Sequence, residues 1–333
     1  MQYKMVDFKI NPNSEIPKFQ QLVDTVINAL AENTVHEGDQ LPSVNAICQT
    51  YKLSRDTVFK AYGILKEQGV IESVPNKGYF IAKEGRKVFL FLDTFKAYKE
   101  VLYGEFVKNL DKDTIADVHF HHYNINLFKK LITESKGRYS KYIIMPFAHK
   151  DVADIVSLLS PDKTLIIDWD TNINNVKNKL YQDFSTPVYE ALEEANHLLK
   201  KYKRMIMVYP DFTYHPKITA EQFEVYCKTN DYQWERLEKE EKLNVKAGDM
   251  FFCVSDRMLG HILEQCREKK LELGLDVGIL SYNETPMKKF VDKGISVIST
   301  DFKLMGQKAA EFACSDIKMD FCVPTKIYFR ESL

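Results

Sequence analysis

Residues 41–68 read LPSVNAICQTYKLSRDTVFKAYGILKEQ, and this stretch decides the fold of the first part of the chain. The Leu-Pro-Ser that ends at Ser43 predicts a short helix after it, because a serine hydroxyl caps the free N–H groups of a first turn. Ser54 predicts a second cap, followed by a helix over about 55–68 that Gly69 ends. Two short helices joined by a tight turn are typical of a helix-turn-helix.

The flanking segments complete a winged helix. Apolar residues recur three and four positions apart from Phe19 to Leu30, which predicts an amphipathic helix before the motif. Residues 70–74 and 78–82 predict a β hairpin after it. We therefore place an α+β winged helix-turn-helix domain at residues 8–82, a short polar linker at 83–87 and a second domain at 88–333.

The second helix of such a motif is expected to read DNA. Its first residues enter the major groove, so small, polar or cationic side chains are required there. Ser54, Arg55 and Thr57 meet this requirement, because an arginine fork binds guanine or phosphate and hydroxyl groups donate to phosphate oxygens. Lys60 lies one turn further along the helix.

Positive charge on this chain is local. The sequence has 46 Lys and Arg against 47 Asp and Glu, a formal net charge of −1, which excludes a uniformly basic protein that binds polyanions by bulk charge. Lys77 and Gly78, at the tip of the wing, are predicted to approach the neighbouring minor groove, where a residue without Cβ permits close contact. DNA binding would depend on this patch.

Beyond residue 87 the pattern alternates between strands and helices. Residues 88–92 form a continuous apolar run, as expected for a strand buried on both faces of a parallel sheet. The predicted strands are 88–92, 116–123, 142–145, 165–168, 205–209, 249–254, 276–280 and 296–298, and the predicted helices are 100–110, 126–135, 151–159, 187–202, 220–229, 257–270 and 303–314. Repeated βα units predict an α/β domain, and about 245 residues suffice for two lobes.

Ligands of open α/β sheets bind beyond the carboxyl ends of the strands. In this chain those positions carry carboxylates, amides and aromatic rings: residues 93–98, 146–147, 168–170, 211–217, 255–257 and 282–284. Carboxylates and amides pair with hydroxyl groups, while an aromatic face covers the apolar side of a sugar ring. The pattern therefore favours a neutral sugar in a cleft between two lobes.

The first domain resembles the winged helix of GntR-type bacterial transcription regulators. The resemblance rests on Leu-Pro-Ser at 41–43, Ser-Arg-Asp-Thr-Val at 54–58 and Gly-Tyr-Phe at 78–80, in that order and spacing. It implies operator binding by Ser43, Arg55, Thr57 and Gly78. The family usually has arginine two residues after that serine, whereas this chain has Asn45, which keeps hydrogen-bonding groups but loses the charge.

The second domain resembles, more loosely, the effector domain of LacI/GalR-type repressors, which is related to periplasmic sugar-binding proteins. The stretches 251–256, 275–283 and 300–307 carry the resemblance. It implies effector contacts, and together with the strand-end pattern it gives these candidates: Phe95, Tyr98, Phe147, Asp168, Trp169, Asp183, Lys217, Asp256 and Asn283. Lys217 stands in for an arginine that the family often has within 215–222. The minor-groove hinge helix of those repressors is absent.

Other chemistries receive less support. The six cysteines are far apart in sequence and are interpreted as reduced core thiols, and His119 and His121 as ordinary strand residues. We find no motif for a catalytic nucleophile, a cofactor or a metal, and no apolar run long enough for a membrane helix. The alternative is a winged helix fused to an aminotransferase-like, pyridoxal-phosphate domain, but that fold needs well over about 300 residues.

The sequence thus predicts a cytoplasmic, non-enzymatic DNA-binding regulator. We expect a homodimer that binds a palindromic operator on double-stranded DNA, because two-fold protein symmetry matches two-fold operator symmetry. We expect a repressor whose operator affinity changes when a monosaccharide such as L-fucose or L-arabinose binds.

Overall fold

The computed structural model describes residues 7–75, 77–82, 86–171, 173 and 176–333. Within them the chain forms an N-terminal winged helix-turn-helix followed by a two-lobed α/β domain, which confirms the predicted fold class. The predicted linker at 83–87 lies mostly outside the described residues. Its last residue, Lys87, already belongs to the strand that opens the second domain.

Three helices and a hairpin form the N-terminal domain. They are α1 (Lys18–Ala31), α2 (Val44–Tyr51), α3 (Arg55–Glu67), β1 (Ile71–Val74) and β2 (Gly78–Ile81). The apolar faces of the three helices meet around Leu22, Ile47 and Val58, each of which is completely buried. The hairpin closes this core, because Ile71 pairs with Ile81 and both side chains are buried.

The first lobe is built on a sheet whose six strands run parallel. They are β3 (Lys87–Leu92), β4 (Ile115–Phe120), β5 (Lys141–Ile144), β6 (Thr164–Asp168), β7 (Asn178–Tyr181) and β13 (Asp320–Cys322), in the order β13-β7-β6-β5-β3-β4. The helices on its two faces are α4 (Ala97–Lys108), α5 (Ile125–Ser135), α6 (Val152–Val156) and α10 (Phe302–Cys314). Leu90 packs with α4 and α10, and Phe91 packs with α5 and α6. The apolar run 88–92 is therefore buried on both faces, as predicted.

The second lobe repeats this plan with one antiparallel edge. Its strands are β8 (Arg204–Val208), β9 (Trp234–Leu237), β10 (Asp249–Cys253), β11 (Gly278–Tyr282), β12 (Ser296–Thr300) and β14 (Thr325–Tyr328), in the order β14-β12-β11-β10-β8-β9. β14 runs antiparallel to β12, and the other neighbours are parallel. Helices α7 (Thr186–Leu199) and α8 (Lys217–Thr229) cover one face, and α9 (Asp256–Glu268) covers the other.

The chain crosses between the lobes at three places: after β7, after β12 and after β13. Hydrogen bonds tie the crossings together. The Thr300 hydroxyl donates to Oε1 of Gln182 at 2.6 Å, and it lies 2.6 Å from the Thr325 hydroxyl. The Asp301 N–H donates to the carbonyl oxygen of Pro324 at 3.0 Å. The three crossings thus form one bonded hinge rather than three independent linkers.

The winged helix packs on the first lobe. Gly137 has a φ of +75°, and a Cβ there would lie only 2.6 Å from the carbonyl oxygen of Ile27 in α1. Nζ of Lys163 donates to the carbonyl oxygen of Leu30, at the end of α1, over 3.5 Å. Gly137 and Lys163 precede β5 and β6, so the contact lies at the amino ends of the strands.

Some sequence predictions are wrong in detail. β7, β9, β13 and β14 were not predicted, because each has only three or four residues and lies at or near a sheet edge. In β9, Arg236 pairs with Glu224 of α8. Cys227, Cys253 and Cys266 are buried thiols, but Cys322 is exposed because it ends the short edge strand β13.

Candidate functional site

The first residues of α2 and α3 present capped, solvent-facing helix ends. Oγ of Ser43 accepts the N–H of Ala46 at 3.1 Å, and Oγ of Ser54 accepts the N–H of Thr57 at 3.2 Å. The Ser54 hydroxyl also lies 2.8 Å from Oγ1 of Thr57. A hydroxyl that accepts in a cap keeps its own proton to donate, and a helix amino terminus attracts anions. Both helix ends can therefore bind phosphate groups.

Three further predicted contacts differ in their surroundings. Arg55 and Asn45 are exposed beside these helix ends. Lys60 is also exposed, but its Nζ lies 3.9 Å from the ring centroid of Phe19 in α1. A cation held over an aromatic face is partly committed to that contact. Asn45, for which no such ring contact is found among the described residues, is thus freer than Lys60 to reach DNA, and Arg55 is exposed at the start of α3.

The wing is fixed by contacts with the helices. Gly78 has a φ of +107°, a conformation that L side chains rarely adopt. Nε2 of Gln40 donates to the carbonyl oxygen of Lys77 at 2.7 Å, and the Tyr62 and Tyr79 rings meet edge to face at 4.6 Å. Lys77 is exposed at the tip, and Asn76 beside it lies outside the described residues. The wing is therefore held at a defined angle to α3.

A cavity of about 460 Å³ lies between the two lobes. Its lining comes from the carboxyl ends of the strands of both sheets and from the first interlobe crossing. The lining residues are Asp93, Lys96, Ala97, Tyr98, Tyr123, Asp168, Trp169, Gln182, Phe184, Phe212, Thr213, Tyr214, His215, Pro216, Val254, Ser255, Asp256, Arg257, Tyr282 and Asn283. This volume is in the range of small-molecule sites, roughly 300–1,000 Å³.

Five of the nine predicted effector contacts line this cavity: Tyr98, Asp168, Trp169, Asp256 and Asn283. Phe95 points instead towards the ring of Phe120 and is 58% exposed. Phe147 is buried behind the cavity, where it stacks on His121. Asp183 accepts the Ser185 N–H at 2.7 Å, and Lys217 is an exposed first residue of α8.

Asp168 connects the cavity to the hinge. Its carboxylate is buried and accepts a hydrogen bond from Nε2 of Gln182, the same side chain that accepts from Thr300. The Tyr282 hydroxyl also donates to Oε1 of Gln182, at 3.3 Å. Burial raises the pKa of Asp168 above its ordinary value. A ligand that bonds Asp168 therefore contacts the network that joins the crossings.

Asp93 and Lys99 form a buried ion pair at the first-lobe side of the cavity. Lys99 in α4 is completely buried and pairs with Asp93, and the Tyr123 hydroxyl donates to Oδ2 of Asp93 at 2.5 Å. Burial lowers the pKa of Lys99 to about 8. The pair fixes the position of Asp93. No pattern in the sequence pointed to Lys99.

Asp256 is fixed by a second lysine that the sequence did not reveal. Nζ of Lys288 lies 2.8 Å from Oδ1 of Asp256 and donates to the carbonyl oxygens of Tyr282 and Asn283 at 2.9 and 2.8 Å. Lys288 is buried, while the side chain of Asp256 is 56% exposed. One carboxylate oxygen is thus held and the carboxylate still faces the cavity.

Within the segment 215–222, the polar side chain that lines the cavity is that of His215 and not that of Lys217. Its Nε2 lies 2.9 Å from Oγ1 of Thr219, whose hydroxyl donates to the carbonyl oxygen of Phe184. Nε2 therefore carries the proton, and Nδ1 is an acceptor. Burial lowers the pKa of His215 to about 3, so the ring is neutral. A neutral nitrogen acceptor binds the hydroxyl group of a ligand better than it binds an anionic group.

Aromatic rings from both lobes border the cavity. Tyr123 of the first lobe stacks on Tyr214 of the second, with ring centroids 3.6 Å apart. Trp169 and Phe184 lie next to each other on another wall, with centroids 6.1 Å apart. The lobes thus touch across the cavity. Carboxylates, an amide, a neutral histidine and aromatic faces together suit a neutral molecule with several hydroxyl groups.

The two strand histidines have structural partners. Nδ1 of His121 accepts the N–H of Tyr123 at 3.2 Å, and Nε2 lies 3.0 Å from the carbonyl oxygen of Met145, to which it donates. His119 packs against the ring of Phe89. Among the described residues no group of three or more His, Cys, Asp and Glu side chains could hold a metal ion. In the same part of the chain no helix is long and apolar enough to cross a membrane.

Comparison with known proteins assigns both parts of the chain. Residues 18–81 match the bacterial regulatory proteins of the gntR family, and residues 195–333 match the periplasmic binding protein-like domain. The second match disfavours the aminotransferase-like alternative. Among solved structures, the trehalose repressor from Escherichia coli has the same fold, with a TM-score of 0.63 and 9% sequence identity over 74% of this chain and 100% of that chain.

Relatives among the bacterial regulators match the N-terminal part. The uncharacterized HTH-type transcriptional regulator YydK of Bacillus subtilis is 27% identical over 26% of this chain, and the match spans only 36% of YydK. The uncharacterized HTH-type transcriptional regulator YhcF of Bacillus subtilis is 31% identical over 29% of this chain and 78% of its own length. The chain belongs to the gntR family of bacterial regulatory proteins, and its second domain is periplasmic-binding-protein-like.

Proposed function

We propose that the chain is a transcription repressor whose affinity for operator DNA changes when a neutral monosaccharide binds between the lobes. The observation that carries the proposal is the position of the cavity. It lies at the carboxyl ends of the strands, lined by both lobes, and the winged helix packs at the amino ends of the first-lobe strands. Such a protein would act in the cytoplasm, where its DNA is.

On the DNA side, the reading helix α3 supplies the base contact and the caps supply phosphate contacts. Arg55 is exposed at the start of α3 and binds guanine or phosphate. Ser43, Asn45, Ser54 and Thr57 bond phosphates around it, and Lys77 and Gly78 approach the minor groove. A homodimer would place two such units on a palindromic operator.

On the ligand side, hydroxyl groups of the sugar pair with Asp168, Asp256, Asn283 and His215. Oδ1 of Asn283 is a buried oxygen that has no hydrogen-bond partner in the described residues, which supports a polar ligand at this place. Trp169 and Phe184 would cover the apolar face of the ring. L-fucose and L-arabinose are the first candidates, and one structural neighbour is a repressor named after the sugar trehalose.

The hinge and the docked winged helix connect the two activities. A ligand that bonds Asp168 of the first lobe and Asp256 of the second favours the closed lobe arrangement. Because the winged helix packs on the first lobe, at contacts that include Gly137 and Lys163, closure would turn the two winged helices of a dimer relative to each other. Sugar and operator affinity would then be coupled.

A thermal-shift screen tests the ligand half of this proposal. Monosaccharides and sugar phosphates are added one by one to the full chain, and a ligand that binds the native state raises the melting temperature. We expect the largest stabilisation from a neutral monosaccharide, because the groups placed to bond its hydroxyls are Asp168, Asp256, Asn283 and the neutral His215. Stabilisation only by anionic compounds would contradict the proposed ligand class.

A further inference from the structure

The reading helix carries an exposed aromatic ring that the contacts described so far do not use. Phe59 lies in the middle of α3 and is 46% exposed. It lies outside the hydrophobic core of the winged helix, to which its neighbours Val58 and Tyr62 belong. A single exposed phenylalanine is common on protein surfaces, so what distinguishes Phe59 is its place on the reading helix beside the predicted base contact.

The ring lies on the same side of α3 as the reading arginine. Positions four apart are neighbours on a helix surface, and the guanidinium carbon of Arg55 lies 5.7 Å from the ring centroid of Phe59. The next residue, Lys60, turns the other way, towards Phe19 of α1. Arg55 and Phe59 therefore form one continuous surface, and the contact between them limits the freedom of the guanidinium before DNA is bound.

The major groove offers one apolar group to such a ring, the C5 methyl of thymine. Cytosine, guanine and adenine have no methyl group at that edge. We propose that Phe59 is a specificity-determining residue that contacts the methyl group of a thymine adjacent to the base bound by Arg55. The inference rests on the proposed DNA-binding function and extends it to a named base feature.

Single-atom changes in the DNA test this inference. The full chain first selects duplexes from random-sequence DNA, and each thymine of the selected half-site is then replaced, one at a time, by deoxyuridine, which lacks only the methyl. For the native chain we expect about a fourfold loss of affinity at one thymine of each half-site, the effect of one buried methyl group. In Phe59→Ala the same replacement should have no effect.

Two control variants make the comparison specific. Ile16→Ala removes another exposed apolar side chain of this domain, outside α3, and should keep the full thymine dependence. Phe59→Leu retains an apolar side chain and should keep part of the thymine dependence. Because Phe59 is outside the core, both Phe59 variants should melt at the temperature of the native chain, which circular dichroism checks.

Each other outcome has a defined meaning. Equal deoxyuridine effects in the native chain and Phe59→Ala, or a selected site in which no thymine methyl matters, would overturn the inference and leave the proposed function intact. Unchanged DNA affinity with a lower oligomeric mass for Phe59→Ala would assign the ring to a protein contact and also overturn it. Failure of the native chain to select any duplex would overturn the proposed function itself.

Discussion

The winged helix and the interlobe cavity are built in opposite ways. The candidate DNA contacts come from one short stretch between Ser43 and Gly78, and each is placed by a local device such as a helix cap or a hairpin. The cavity collects side chains from Asp93 to Asn283 through the order of strands in two sheets. A contiguous stretch of sequence determines the first site, whereas the second exists only when the whole topology has formed.

The two regions also differ in how their charges are treated. The reading surface leaves Arg55 exposed, and the binding free energy there comes from charge and shape presented to a partner. The cavity pairs its charges: Asp93 with Lys99, both buried, and the half-exposed Asp256 with the buried Lys288. Buried pairs fix geometry at a cost in desolvation, which is typical of a site that must hold a ligand in one orientation.

The largest effect is expected at the local site. Arg55→Ala should weaken operator binding by about 2–6 kcal/mol, because the base contact contributes roughly 1–3 kcal/mol and a dimer loses it in both half-sites. Fluorescence anisotropy with a labelled duplex measures this, and the sugar affinity should stay unchanged. Arg55→Lys keeps the charge but loses the guanidinium fork, so its operator affinity should lie between those of the native chain and Arg55→Ala. Undiminished binding by Arg55→Ala would mean that α3 is not the reading helix.

The second effect belongs to the cavity. Asp256→Ala should weaken sugar binding by about 1.5–3 kcal/mol, the range for hydrogen bonds to a charged group, and leave DNA binding in the absence of sugar intact. Isothermal titration calorimetry measures the loss. Asp183→Ala is the matched control, because Asp183 bonds a backbone N–H outside the cavity and its loss should change sugar affinity less than twofold. Equal losses in both variants would place the ligand elsewhere.

A smaller effect is expected on stability, because the first lobe contains a buried histidine whose protonation depends on pH. Burial lowers the pKa of His121 to about 4, whereas an unfolded histidine titrates near 6.5. Between these values the unfolded chain binds a proton that the native first lobe does not, so the free energy of unfolding falls as the pH drops. The contribution of His121 to this loss should reach about 2 kcal/mol at pH 5, and the buried His215, whose pKa is also lowered, adds a contribution of the same sign. It is measured by denaturant unfolding at pH 7 and pH 5.

The variant His121→Gln isolates this contribution from that of the carboxylates. It should unfold with a smaller difference between the two pH values, although its stability at pH 7 is also lower because the ring bonds Met145 and Tyr123. The winged helix transition should not change with this substitution. A pH difference equal to that of the native chain would show that His121 is not buried in its neutral form.

The contrast between the regions also explains what the sequence could predict. Ser43 and Ser54 revealed two helix starts because capping acts within three residues, and the apolar run at 88–92 revealed a buried parallel strand. Lys288 and Gln182 were missed because their partners Asp256 and Thr300 are distant in sequence, and Lys99 was missed because nothing in the sequence marks a lysine that its helix will bury. Five of the nine predicted effector contacts line the cavity, since strand ends share one edge of each sheet.

The remaining four show the limit of that rule. Phe95, Phe147 and Asp183 follow strands as closely as the cavity residues do, but the direction of each side chain depends on packing, and Lys217 lies farther on, at the start of α8. A pattern of residue types near strand ends predicts the region of a site. It does not predict which of two adjacent side chains, such as His215 and Lys217, turns inward.

Reciprocal titration measures whether the cavity and the reading helix are coupled. The dissociation constant of the operator is measured with and without saturating monosaccharide, and that of the monosaccharide with and without saturating operator. If the two sites are coupled, each ligand weakens the binding of the other by the same factor, about 5- to 150-fold for typical allosteric coupling. A sugar that binds in the cavity and leaves operator affinity unchanged would contradict the coupling.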